Sequence, residues 1–253
     1  NVATAKYSFN DTITYTYEIL PRSQFHKRGF EYRLYLPLYN SVKWMEIGVP
    51  DSTDFKFIPT LRENPIVVYG TSIAQGGCAS RPGMGWTNIL SRKLDYPVIN
   101  LAFSGNGPLE KELVDLIDEV KASLYIYDCL PNMGSLSSEE IMKRTIYGVS
   151  KIREKHETPI LLVDHIGYRN QEMNNSSKEA SDRMNKALRQ AYDSLINLKV
   201  KNIYHLHSDT IDFPEDGCVD NIHPNDLGMQ VYADAYEKIT RDILSMPVGN
   251  MKT

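Results

Sequence analysis

Beyond residue 65 the chain repeats one pattern five times: a short apolar run, then a longer stretch with apolar residues at helical spacing. The runs are Ile66 to Tyr69, Val98 to Leu101, Leu124 to Tyr127, Ile160 to Val163 and Ile203 to Leu206. A run that is apolar throughout reads as a strand buried on both faces, and strands alternating with helices read as a parallel sheet. The intervening stripes are Trp86, Ile89, Leu90, Leu94; Leu109, Leu113, Leu116, Ile117, Val120; and Met184, Leu188, Ala191, Leu195. The expected fold is therefore α/β, a three-layer α/β/α sandwich around a five-stranded parallel sheet. A last helix is expected from about Asn225 to Leu244, with Leu227, Val231, Ala235, Ile239 and Ile243 on one stripe and Asn225 or Asp226 as its cap. Pro247 to Thr253 reads as a tail.

The first 60 or so residues have a different rhythm. Thr12 to Tyr17 and the series Phe30, Tyr32, Leu34, Leu36 alternate with period two and are rich in aromatic and branched side chains; Val42 to Trp44 and Phe55 to Phe57 continue the theme. Turn signals at Asn10-Asp11 and Pro50-Asp51-Ser52 separate them, so a small β-sandwich-like domain, an antiparallel sheet or sandwich, is expected over residues 1–60 ahead of a larger domain over 61–253. A polar connector from Pro59 to Pro65 joins the two.

Composition removes several function classes. The 253 residues carry a net charge of −4, and neither His26-Lys27-Arg28 nor the mixed cluster Lys151 to Lys155 makes a basic face, so no nucleic-acid partner is expected. No apolar run approaches the roughly 18 residues that a membrane span needs. The chain starts at Asn1 without a leader, which fits either a trimmed chain or a mature exported protein; export to the periplasm or beyond is the expectation, a cytoplasmic location the alternative. Three cysteines, Cys78, Cys129 and Cys218, are too few and too odd in number for a disulfide framework and are expected as free thiols, although a Cys78–Cys218 bridge would pin two loops together. His205 and His207 share one face of the fifth strand but have no Cys or carboxylate partner at ligand spacing, so neither a metal nor a cofactor is expected.

Four short segments carry chemistry. Gly70-Thr71-Ser72 follows the first strand, at the edge where open α/β sheets place their ligand crevices. Glycines at 70, 76, 77, 83 and 85 make the following loop pliable, allowing backbone N–H groups to approach a substrate. The second strand runs into Ser104-Gly105-Asn106-Gly107 and the third into Asp128-Cys129-Leu130-Pro131-Asn132, which brings Gly105 and Asn132 to the same edge as hydrogen-bond donors. Asp128 reads as a cap or loop anchor without a catalytic role. Near the C-terminus Asp220 and His223 stand three apart directly before the last helix. A serine hydroxyl is a weak nucleophile until a histidine takes its proton, a carboxylate orients that histidine and donors meet the developing oxyanion. Ser72, His223, Asp220, Gly105 and Asn132 supply those types; each alone has an ordinary loop reading, and their coincidence is what points to hydrolysis.

In this set and order the chain resembles the SGNH hydrolases, also called the GDSL esterase and lipase superfamily. The match runs through Gly70-Thr71-Ser72, Gly105, Asn132 and Asp220 to His223, over residues 64 to 245. The resemblance implies a flavodoxin-like sheet, Ser72 as nucleophile, His223 as base, Asp220 as its orienter, and an oxyanion hole of the Ser72 N–H, the Gly105 N–H and the Asn132 side chain. Two positions depart from the family pattern: Thr71 stands where Asp is usual, and Cys129 to Met133 lacks the Gly and the following Asp of the G-x-N-D block. The run from Gly70 to Gly83 resembles a divergent bacterial branch in which a small β domain precedes the hydrolase domain.

The expected activity is hydrolysis of short-chain, especially acetyl, carboxylic esters on a small molecule or glycan. A lipase, lysophospholipase or thioesterase of the same superfamily and a non-catalytic glycan-binding protein are the alternatives. Expected substrate contacts are His165 and Tyr168, in a polar segment from His165 to Ser177 that reads as a rim or lid, and Trp86 near the serine loop, placed to stack on a sugar as Trp44 is in the β domain.

Overall fold

The computed structural model describes residues 33–57 and 63–247. The chain divides into two compact units, Asn1–Leu36 and Pro37–Thr253. The second holds five strands, β1 (Ile66–Gly70), β2 (Val98–Ala102), β3 (Leu124–Asp128), β4 (Ile160–Val163) and β5 (Ile203–Leu206), in one fully parallel sheet of order β2-β1-β3-β4-β5. The expected strands appear at their expected places. The central three, β1, β3 and β4, are buried along their whole length, whereas edge strand β2 leaves Ile99 exposed.

Helices cover both faces, as continuous apolar strands require. Ile66, Val68, Leu124, Ile126, Leu161 and Val163 face a layer built by α1 (Ser72–Gln75), α2 (Trp86–Leu94) and α6 (Asp226–Ile243). Their neighbours of opposite parity, among them Val67, Tyr69, Tyr125, Tyr127, Ile160 and Leu162, face α3 (Lys111–Ile117), α4 (Ser138–Arg153) and α5 (Asn175–Asn197). Strand periodicity of two thus splits the core into two halves.

The helix between β3 and β4, α4, shows no clear stripe in the sequence, because Thr145 and Gly148 dilute its buried series of Ile141, Val149 and Ile152. Its start was legible: Ser137 accepts the Glu140 N–H at 3.2 Å, the first half of a Ser-x-x-Glu capping signature. α3 is shorter than its stripe, since Leu109 sits before it at φ +57. α6 begins as expected, with the Asn225 side chain accepting from the N–H of Leu227 at 3.0 Å and of Gly228 at 3.1 Å.

Residues 33–57 contain no assigned strand. Leu34, Leu36, Val42, Trp44, Phe55 and Phe57 are exposed. Alternation favours an extended backbone, but a strand also needs a ladder partner, and the segments Val42–Trp44 and Phe55–Phe57 have none among the described residues. Thr12–Tyr17 and Phe30–Tyr32 lie outside the described residues. No described helix is long and apolar enough to cross a membrane.

Candidate active site

The strand order makes β1 the switch point: the chain leaves β1 for β2 on one side and later returns to β3 on the other, opening a crevice at the C-terminal end of β1. Ser72 is the second residue past that end. The tight passage from β1 into α1 depends on Gly70, where a Cβ would lie 2.7 Å from Ala74 Cβ and 3.0 Å from the Asp128 carbonyl oxygen. Thr71 is fully buried and caps α1 by accepting the Ile73 N–H at 3.4 Å. A neutral hydroxyl performs there the capping that an aspartate would otherwise bring with a buried charge. Ser72, 7% exposed, opens α1, and its N–H is among those with no acceptor inside the helix.

His223 reaches this serine from the loop before α6. Its Nε2 lies 3.0 Å from Ser72 Oγ and its Nδ1 lies 2.8 Å from Asp220 Oδ2. The carboxylate fixes the tautomer: with the ring proton on Nδ1, the lone pair of Nε2 faces the hydroxyl. Asp220 is itself held, Oδ1 accepting the N–H of Ile222 and of His223, each at 2.8 Å. Burial pushes its carboxyl up, but those two N–H bonds and the His223 ring outweigh this and hold it below the usual carboxylate range. It therefore stays ionised at neutral pH.

Gly105 and Asn132 lie past the ends of β2 and β3, the strands that flank β1. Gly105 takes φ +72, and a Cβ added there would meet open space. The Asn132 amide donates to the Asn106 carbonyl at 2.5 Å, which ties the two loops together. That bond takes one of the two amide hydrogens.

Further residues brace the site that sequence reasoning did not find. Gln75 links the segment ahead of the sheet to the β2 loop, its Nε2 donating to the Leu38 carbonyl at 2.9 Å and its Oε1 accepting the Ser104 N–H at 2.7 Å. Asp226 at the start of α6 accepts the Ser80 N–H at 2.8 Å, tethering the glycine-rich loop. Asn221, between Asp220 and His223, accepts the Arg169 N–H on its carbonyl at 2.9 Å and the Asn170 N–H on Oδ1 at 2.8 Å. None of these pairs has a sequence signal, because the partners are far apart along the chain.

Several expectations require correction. Trp86 is not a sugar platform: it is fully buried and stacks on Tyr236 with ring centroids 4.0 Å apart, because its position on α2 faces the sheet. His165 is not a solvated rim residue. It is 2% exposed, Asn185 holds its backbone N–H and carbonyl at 2.8 Å each, and its Nδ1 accepts the Gly167 N–H at 2.9 Å. Burial, with the Arg169 charge adding, pushes its pKa down to about 4, so the ring is neutral and carries its hydrogen on Nε2, which has no partner. Tyr168 is half-buried with its ring edge against His165, and its hydroxyl approaches Gly134, two residues past Asn132. Asp128 is no cap: it ends β3, is 3% exposed, and its Oδ2 has no hydrogen-bond partner. The expectation of free thiols holds: Cys78, Cys129 and Cys218 are unbridged, and the alternative Cys78–Cys218 bridge is absent. Finally, His205 and His207 do have a carboxylate neighbour, Asp164, which stands one residue past the adjacent strand β4.

Fold and site together define an α/β protein in which the Ser72, His223 and Asp220 side chains form a hydrogen-bonded series at the switch point of a parallel sheet. Residues 63–241 match the GDSL-like lipase/acylhydrolase family, and the chain belongs to it. Residues 1–55 match the N-terminal region of SGNH-hydrolase-type esterases. Among solved structures, a Bacteroides ovatus protein assigned as a GDSL-like lipase is 38% identical with a TM-score of 0.77, over 83% of this chain and 62% of that one. A salicylyl-acyltransferase from a tetracycline biosynthetic pathway is 20% identical with a TM-score of 0.65, over 76% of this chain and 58% of that one. A Clostridium thermocellum family two carbohydrate esterase, solved with cellohexaose, is 13% identical with a TM-score of 0.58, over 76% of this chain and 68% of that one. The chain thus spans about three fifths of the length of the first two. No curated protein matches the sequence.

Proposed function

We propose that this chain is a serine esterase that cleaves short-chain, especially acetyl, esters carried on carbohydrate or a similar polyol. The observation that carries the proposal is the unbroken hydrogen-bonded path from Ser72 Oγ through the His223 ring to Asp220, at 3.0 and 2.8 Å. In this reading His223 Nε2 takes the Ser72 proton as Oγ attacks the ester carbonyl, and Asp220 stabilises the imidazolium that forms. The tetrahedral oxyanion is met by the N–H groups of Ser72 and Gly105 and by the Asn132 amide. Collapse expels the alcohol with the proton held on His223, leaving an acyl-Ser72; water, deprotonated by the same nitrogen, releases the acid.

The choice of acyl group and alcohol rests on likeness of fold. The Clostridium thermocellum carbohydrate esterase and a Sinorhizobium meliloti carbohydrate acetylesterase family member share the fold at 13% and 16% identity. Tyr168, close to the Asn132 loop, is the side chain we assign to substrate contact.

The test is Ser72→Ala with a series of aryl esters and acetylated oligosaccharides. Ser72→Ala is expected to abolish hydrolysis and fluorophosphonate labelling with the fold unchanged, and Asn132→Ala to cost about 2.7 to 4 kcal/mol of transition-state stabilisation. Preference for long acyl chains would instead indicate a lipase, and absence of labelling in the folded native chain would end the catalytic reading.

A further inference from the structure

We propose that Asp164, His205 and His207 form a binding site for one divalent transition-metal ion of the zinc class, at the outer corner of the sheet. Asp164 stands one residue past β4, His205 lies within β5 and His207 one residue past it; parallel pairing of β4 with β5 brings the three together. One ligand atom from each lies within 4.8 Å of the other two. His205 Nε2 is 2.7 Å from Asp164 Oδ1, His207 Nδ1 is 3.8 Å from Asp164 Oδ2, and the two imidazole centroids are 4.0 Å apart. Tetrahedral zinc, with bonds near 2.0–2.2 Å, spaces its ligand atoms by roughly 3.4 Å. The distances to the two Asp164 oxygens fall on either side of that value, and one ligand atom from each residue lies within 4.8 Å of the others, so closure on an ion needs side-chain shifts and no rearrangement of the strands.

Two features distinguish this arrangement from an ordinary buried His–Asp pair. First, the pair His205–Asp164 is complete without His207, yet His207 aims Nδ1 at the same carboxylate from beyond hydrogen-bond distance. Second, Asp164 is braced in the way that ligating carboxylates are: Oδ2 accepts from Arg189 Nε at 3.1 Å, from Arg189 Nη2 and from the Ser208 N–H at 3.3 Å, which leaves Oδ1 facing His205. Two imidazoles and one carboxylate suit zinc, cobalt or nickel better than calcium or magnesium, which take oxygen ligands. Metal entry exchanges the His205–Asp164 hydrogen bond for two metal bonds; the Nε2 hydrogen moves to Nδ1 of the same ring, and water fills the fourth position.

Access is open. The Asp164 side chain is fully buried and that of His205 3% exposed, but that of His207 is 46% exposed. Arg189 and Ser208, which hold Asp164, also line a surface cavity of about 480 Å³. A bound ion would fasten the ends of β4 and β5 and the start of the loop that runs on to Arg169 and Asn170. The inference is independent of the esterase reading.

The experiment uses the whole chain, stripped with EDTA and returned to metal-free buffer, then titrated with zinc chloride by calorimetry and repeated with cobalt by visible absorption. One equivalent of zinc should bind and raise Tm, and cobalt should develop the absorption of a tetrahedral nitrogen and oxygen site. His207→Ala, at an exposed position that leaves the His205–Asp164 pair intact, should weaken zinc at least about tenfold and erase both the Tm rise and the cobalt band. His207→Gln serves if the alanine variant is poorly folded. Failure of the native chain to take up zinc would overturn the site, as would uptake that is unchanged in the His207 variants, which would mark an adventitious ion only.

Discussion

The main-chain N–H of Arg169 donates to the carbonyl of Asn221 at 2.9 Å, joining the loop after β4 to the residue that follows Asp220. The Asn221 side chain adds a second bond from the Asn170 N–H at 2.8 Å. Because Asn221 stands between Asp220 and His223, its position is expected to set the approach of His223 to Ser72. Asn221→Ala removes the side-chain bond and is expected to lower kcat about tenfold or more, since small displacements of a reacting group are costly, with KM within about twofold. Asn221→Asp keeps an acceptor at Oδ1 and should recover most of the rate. Equal effects of both variants on KM and kcat would argue against a positioning role.

Trp86 separates a core residue from a substrate platform. Trp86→Ala removes a fully buried indole from its stack on Tyr236, and a cost of about 3 to 5 kcal/mol is expected in chemical denaturation. KM of the folded fraction should not rise. A large KM increase without loss of stability would restore the sugar-stacking reading.

Gly105 and Gly107 both have positive φ, +72 and +78, but differ in surroundings. A Cβ on Gly105 meets open space, whereas one on Gly107 would lie 2.3 Å from the Gly70 carbonyl oxygen. Gly105→Ala therefore bears only left-handed strain, about 1 to 2 kcal/mol, and keeps the N–H that the proposed mechanism uses. Gly107→Ala must also displace the backbone ahead of Ser72 and is expected to cost about 3 kcal/mol or more together with most of the activity. Thermal melts and ester hydrolysis on the two variants side by side measure the difference.

Asp128 gives stability an unusual pH dependence. Burial raises its carboxyl to about 6, and the Tyr236 hydroxyl, facing it short of normal hydrogen-bond geometry, offsets this only in part. An unfolded aspartate releases its proton near pH 3.9, about two pH units lower. Between those values the folded chain binds more protons than the unfolded one, so this group makes stability fall as pH rises through the window, by roughly 2 to 3 kcal/mol. Asp128→Asn should flatten that slope in urea unfolding measured between about pH 4 and pH 6.5. An identical slope in the variant would assign the pH dependence to other groups.

The parts of this protein that depend on short stretches of chain were open to sequence reading. Continuous apolar runs announced β1 to β5, helical stripes announced α2, α5 and α6, and three residues of spacing were enough to pair Asp220 with His223. The place of Ser72 followed too, since a residue just past a strand in a parallel sheet has only one edge to occupy. α4 escaped because Thr145 and Gly148 interrupt its stripe, and the period-two pattern at 42–44 and 55–57 marked extended chain without saying what would pair with it.

Everything that depends on which residues distant in sequence become neighbours was settled by the tertiary structure. Strand order places Asp164 beside His205 and His207, where sequence spacing showed two histidines without a carboxylate. The direction in which α2 packs sent Trp86 into the core, and the depth of the β4 end buried His165. The clamp of Arg169 and Asn170 on Asn221 exists because the loop after β4 folds back across the loop before α6. Periodicity and local spacing are properties of the chain, readable along it; burial and long-range pairing are properties of the packed layers, fixed only when strand order and register are known.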